Sequence, residues 1–114
     1  MTVARQRLGS HGERRAARRY EALGYQVVAQ NWRCGDGELD LVLRRGPTLV
    51  FAEVKTRTSD RFGHPAEAVT PAKQRRLRRL AQRFCADTGT RAPQLRFDVV
   101  SILRGQVEIY EGCF

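Results

Sequence analysis

An α/β fold, with a mixed sheet flanked by two main helices in the order αβββαββ, is predicted from this sequence by three observations. Two stretches repeat apolar residues at helical spacing behind capping signals. Five runs rich in Val, Leu, Ile and aromatic residues read as strands. The segment 38–55 reads as a hairpin whose strands are apolar on both faces, as a sheet covered by helices requires.

The elements follow in order. Residues 1–9 read as a flexible N-terminal segment, and 10–114 as one domain. Ser10-His11-Gly12-Glu13 has the form of a capping box, and Ala16, Ala17, Tyr20 and Leu23 continue at helical spacing to Gly24. The first helix is therefore expected over 11–23. Strands are expected over 25–33, 37–44 and 49–56, with Arg45-Gly46-Pro47-Thr48 as the turn between the last two. Residues 57–69 read as a loop. Thr70-Pro71 supplies an N-cap and a first-turn proline for a helix over 71–87, whose apolar stripe is Leu77, Leu80, Ala81 and Phe84. Strands over 95–103 and 106–110, joined at Arg104-Gly105, complete the chain.

The 114 residues suit a single domain with a small core. No apolar run approaches the roughly 20 residues of a membrane span, and the first residues lack the apolar region of a signal peptide. The expectation is a soluble cytoplasmic protein with no membrane association. Three cysteines, Cys34, Cys85 and Cys113, are too scattered for a zinc site and are expected to be reduced. His11 and His64 have no recognisable metal or triad partner in sequence.

Basic residues outnumber acidic ones by 21 to 12, for a formal charge of +9. That excess favours a polyanionic partner, nucleic acid before others. The competing reading is a compositional bias towards Arg, because only Lys55 and Lys73 are lysines.

The hairpin carries the chemistry. A turn between Gly46 and Pro47 pairs Leu41 with Ala52, Leu43 with Val50 and Leu39 with Val54 on one face. It also pairs Val42 with Phe51, Asp40 with Glu53 and Glu38 with Lys55 on the other. Opposed like charges destabilise a sheet. Two carboxylates there are explained by a hard divalent cation that they share. Lys55 lies on the same face, where it can offset charge, hold a phosphate or orient a water. Two roles are open to Glu13: the capping box, or a third carboxylate on the inward stripe of the first helix.

These residues resemble a known family. Gly37-Glu38-Leu39-Asp40-Leu41-Val42 followed by Glu53-Val54-Lys55-Thr56-Arg57 is similar to the D…ExK core of the PD-(D/E)XK restriction-endonuclease-like fold. More narrowly the chain resembles the YraN family of small bacterial proteins. The matching stretches include Gly12-Glu13, Asn31-Trp32-Arg33, Phe51–Arg57, Phe62-Gly63, Lys73–Arg76 and Phe97–Val100. Leu39 stands where the motif's proline is often found. Archaeal Holliday-junction resolvases look similar in layout, with acids corresponding to Glu13, Asp40 and Glu53 and a lysine corresponding to Lys55.

The resemblance implies a metal-dependent nuclease that hydrolyses phosphodiester bonds in nucleic acid, with branched or structured DNA among its candidate substrates. Asp40 and Glu53, with the Val54 carbonyl and Glu13, would hold Mg²⁺ or Mn²⁺, and Lys55 would orient water or meet the phosphate. Lys73, Gln74, Arg75, Arg76, Arg79 and Arg57 are the candidate nucleic-acid contacts, with Gln74 also placed to steady the site. Arg61 and His64 lie in the adjoining loop. Trp32 can pack or stack on a base. The alternatives are a non-catalytic nucleic-acid-binding module, and an interaction protein using the apolar end at 109–114. A homodimer fits a two-site cleavage of branched DNA.

Overall fold

The computed structural model describes residues 10–57 and 69–114, Ser10 by its backbone alone. The sequence expectations for 1–9, the Ser10 cap, Arg61 and His64 fall outside the described side chains. Helix α1 spans Ser10–Ala22 and is followed by β1 (Gln26–Cys34), β2 (Gly37–Arg45) and β3 (Thr48–Arg57). Helix α2 (Pro71–Thr88), β4 (Gln94–Leu103) and β5 (Gln106–Tyr110) complete the order αβββαββ.

The five strands lie side by side in sequence order. All neighbours are antiparallel except β3 and β4. A parallel pair needs a long crossover, and α2 lies in this one. The sheet is thus mixed, with β3 at its centre.

Period-two alternation along β3 divides the core between the two helices. Val50 and Ala52 face α1, packing with Leu41, Leu43, Val100, Ile102, Ala16, Ala17 and Tyr20. Leu49 and Phe51 face α2, packing with Val42, Phe97, Val99, Leu77, Leu80 and Phe84. The apolar stripe expected of α2 is buried as a whole.

Capping fixes where α2 begins and ends. Thr70 is extended (φ −66°, ψ 161°), its Oγ1 accepts from the Lys73 N–H at 3.2 Å, and Gly89 closes the helix at φ 71°. Trp32 packs edge-on against Phe84 with centroids 5.2 Å apart, so its ring is a core element. The C-terminal apolar residues are also used internally. Cys113 N–H donates to the Phe97 carbonyl at 2.8 Å, and Phe114 stacks on Phe97 at 5.2 Å.

One expectation is corrected. Leu39 does not share a face with Leu41 and Leu43 but packs in the α2 cluster with Val42 and Phe51. The β1–β2 pairing runs from Gln30↔Leu41 to Trp32↔Leu39 across Asn31, whose φ is 51°. Leu39 sits opposite Trp32, which packs against the same α2 cluster. Among the described residues no helix is long and apolar enough to cross a membrane.

Candidate functional site

The hairpin register is as the sequence predicts from Arg45↔Thr48 through Val42↔Phe51 to Leu41↔Ala52, and there the ladder stops. The expected pairs Asp40–Glu53, Leu39–Val54 and Glu38–Lys55 are not ladder partners. Instead, the Asp40 carboxylate takes the place of a backbone partner: its Oδ2 accepts from the Val54 N–H at 2.8 Å. On its other side β3 stays paired with β4, including Val54↔Val100 and Lys55↔Ser101. The opening is therefore confined to the β2–β3 seam. The N–H and C=O of one strand residue point the same way, so the Val54 carbonyl also faces this seam.

A cleft of about 220 Å³ occupies the opening on the α2 side. Glu38, Asp40 and Glu53 line it from the sheet, and Lys73, Arg76, Leu77 and Leu80 from the helix. Glu13 reaches the same charges from α1. It is 7% exposed, and its Oε1 is buried with no hydrogen-bond partner. The approach of α1 depends on Gly12, where a Cβ would come within 2.9 Å of Thr56 Oγ1.

The electrostatics are those of crowded negative charge. Asp40 is pushed up to about 7, first by burial and then by Glu53, with Glu13 and Glu38 adding to it and the Val54 N–H opposing. Glu13 is raised by burial and by Glu38 and Glu53, against hydrogen bonds from its own backbone and from Asn31.

Both lysines of the chain answer this charge. Lys73 Nζ lies 2.5 Å from Glu53 Oε2, and Lys55 Nζ 4.0 Å from the same oxygen. Lys55 is held below the ordinary ammonium value by burial and by Lys73. In a protein with 19 arginines, the two compact, point-charge cations stand at one carboxylate.

Hard oxygen donors, an unpartnered buried carboxylate oxygen and a like-charged neighbour at Asp40 form a donor set suited to Mg²⁺ or Mn²⁺. Among the described residues no three acidic, His or Cys side chains already close around one point. Glu53 turns to Lys73 instead.

The remaining candidates divide. Arg76 lines the cleft, while Arg75 and Arg79 lie exposed on α2. Lys73 is an ion-pair partner of Glu53 and not a free contact on the helix surface. Gln74 donates from Nε2 to the Val69 carbonyl at 3.1 Å, steadying the entry to α2 and not the carboxylates. Arg57 ends β3, half-buried, beyond Lys55. Sequence reasoning missed Asn31 as a partner of Glu13 and Glu38 as a wall of the cleft, where it also pairs with Arg33 at 3.0 Å. The signal for Glu38 was present: it is a second acid on the strand that carries Asp40.

Comparison with known proteins shows relatives of this chain by sequence. The model of "Uncharacterised protein family UPF0102" matches residues 12–102. A UPF0102 protein of Beutenbergia cavernae is 58% identical over 101 residues, covering 89% of this chain and 86% of its own length. One from Nocardia farcinica is 52% identical over 99 residues (87% and 78%), and one from Symbiobacterium thermophilum 50% over 99 (87% and 84%).

Proposed function

The chain belongs to the uncharacterised protein family UPF0102, and for it we propose metal-dependent hydrolysis of phosphodiester bonds in nucleic acid, on a restriction-endonuclease-like fold. One observation carries the reading. At the point where β2 and β3 part, Asp40 and Glu53 line one cleft with Glu38, Lys55 lies within 4.0 Å of Glu53, and the buried Glu13 of α1 feels the charge of Glu38 and Glu53. The neighbouring carboxylates raise the cost of ionising Asp40 and Glu13. The mixed sheet, its two covering helices and the seating of the D…ExK residues at the strand divergence support the fold assignment.

Asp40, Glu53, the Val54 carbonyl and Glu13 are the residues that would hold Mg²⁺ or Mn²⁺. When bound, such an ion polarises a phosphate and makes water a better nucleophile near neutral pH. The chain's own residues do the rest. Val54 fixes the Asp40 carboxylate through its N–H. Asn31 and the backbone fix Glu13, leaving Oε1 as its open donor. Lys55, its proton loosened by burial and by Lys73, is placed to orient the attacking water or to meet the phosphate. Lys73 pairs with Glu53, and would be available to a phosphate oxygen were Glu53 to hold a divalent cation. Arg76 stands at the mouth of the same cleft as a further phosphate contact.

The substrate class is nucleic acid, with branched or structured DNA first to be tried, in the cytoplasm and acting as a homodimer where two strands must be cut. The test is cleavage of single-stranded, duplex, flap and four-way-junction DNA and of RNA, with Mg²⁺, Mn²⁺ or EDTA. Cleavage that needs the metal and disappears in Asp40→Asn and Glu53→Gln, with binding retained, is the expected result. Salt-sensitive binding without cleavage of any substrate would leave a binding module.

A further inference from the structure

A second concavity, of about 650 Å³, lies on the other side of the sheet from the carboxylate cleft. His11, Arg15, Arg18 and Arg19 of α1 form one wall, and the β4–β5 turn at Gly105, Gln106 and Val107 forms the other. Among the described residues that line it none is acidic. Among the described residues no carboxylate forms an ion pair with Arg15, Arg18 or Arg19, while Arg83 and Arg96 do have such partners.

This arrangement is costly for α1 alone. Arg14 and Arg18, and Arg15 and Arg19, are like charges four residues apart on one helix, a spacing that destabilises it. The helix does not need them for its core, which Ala16, Ala17 and Tyr20 supply. The turn side of the cleft is fixed: a guanidinium nitrogen of Arg15 donates to the Gly105 carbonyl, and Arg104 and Gly105 both have positive φ, at 51° and 80°. Arg15 is thereby held in place in the wall of the concavity.

We propose that this cleft is a phosphate-binding site for the backbone of a nucleic acid. It is distinct from the carboxylate cleft, and it would hold a second segment or arm of the strand engaged there. The proposal rests on the nucleic-acid reading above, but not on catalysis. Planar guanidinium groups suit phosphate oxygens, a volume of this size admits more than one phosphate, and the absence of a lining acid removes internal competition. Its face of the sheet is not that of Arg75, Arg76 and Arg79, so binding would draw on both helices. An interface of this kind fits a branched or bent nucleic acid better than a short linear one.

The test is fluorescence anisotropy of the full chain with a labelled four-way junction and a linear duplex in EDTA, across a salt series. Arg18→Gln/Arg19→Gln is compared with Arg83→Gln/Arg91→Gln, which removes the same charge elsewhere. The cleft pair should weaken junction binding about tenfold and lower the salt slope by about two, with the helical signal and melting temperature unchanged. The distant pair should have a much smaller effect. Equal effects from the two pairs, or none from the first, would overturn the proposal. So would stronger binding to anionic vesicles than to the junction, or competition by inorganic phosphate below millimolar concentration. Wild-type cleavage with Mg²⁺ or Mn²⁺ is scored separately, so a failed second site and a failed nuclease reading give different results.

Discussion

Asp98 and Asp40 are carboxylates on neighbouring halves of one sheet, both largely withdrawn from water, and the protein treats them in opposite ways. Asp98, 1% exposed on β4, is answered at both oxygens. Arg96 Nε and the Gly112 N–H donate to Oδ1 at 2.9 and 3.0 Å, and Arg96 Nη2 and Tyr20 Oη donate to Oδ2 at 2.8 Å each. Asp40, on β2, has the Val54 N–H and then Glu53, Glu13 and Glu38 as charged neighbours. A compensated buried charge joins α1, β4 and the C-terminal segment into one body. A crowded one, with the Val54 N–H as donor and three carboxylates as charged neighbours, is where the proposed function would seat a divalent cation.

The largest test of that contrast removes the compensated acid. Asp98→Ala strands Arg96, the Tyr20 hydroxyl and the Gly112 N–H together, and the loss of stability should be about 3–5 kcal/mol in chemical denaturation. A loss below about 1 kcal/mol would show that Asp98 is not the joint between these elements.

Asp40 should respond with the opposite sign. Its folded value, about 7, stands above its ordinary 3.8, so the native state holds the proton more tightly than the unfolded chain. The resulting stabilisation is complete below pH 3.8 and is lost as pH rises through 7. Asp40→Asn keeps the acceptor for Val54 and removes the charge. In metal-free buffer at pH 8 the variant should be more stable than wild type by about 2–3 kcal/mol, a difference that vanishes near pH 4. The same variant should bind Mn²⁺ more weakly and cleave nothing. An Asp40→Asn protein less stable than wild type at pH 8 would show the site to be compensated after all.

Tyr20→Phe probes the first region more gently. The ring stays, edge-on to Tyr25 with centroids 5.1 Å apart, and one of four donors to Asp98 is lost. Destabilisation of about 2 kcal/mol is expected in denaturant titration, since the lost bond is to a charged acceptor. No change would mean that Arg96 and the Gly112 N–H satisfy Asp98 without the tyrosine.

The two regions were not equally legible in the sequence. Hydrophobic period and capping signals are local, so every element was placed within a residue or two of its observed ends. The register from 41↔52 to 45↔48 followed from matching apolar faces. Asp40 and Glu53 stood out because acids interrupt strands that are otherwise apolar. The parting of the strands at Asp40 was not legible, because nothing in the residue types says that a side chain will replace a backbone acceptor. Asn31 was missed because its positive φ and its bond to Glu13 arise from tertiary contact. The Asp98 network joins residues 78 positions apart, a separation that no local pattern reports.

The finest test lies inside the crowded region, at Glu53, which pairs with a lysine from α2. Lys73 offsets part of the charge on Glu53, so the cleft is not wholly uncompensated, and Lys73→Met asks by how much. A partly exposed pair of this kind is worth up to about 1 kcal/mol. Removing it should lower metal-free stability by no more than that, while freeing Glu53 for a divalent ion. Mn²⁺ should then bind about fivefold more tightly by calorimetry, because 1 kcal/mol no longer has to be displaced. Lys73→Arg should keep the pair and leave Mn²⁺ affinity near wild type. Weaker Mn²⁺ binding in Lys73→Met would mean that Lys73 holds Glu53 in its binding position. The lysine would then be part of the site's architecture, and Glu53 would stand closer to Asp98 than to Asp40 in how the protein uses it.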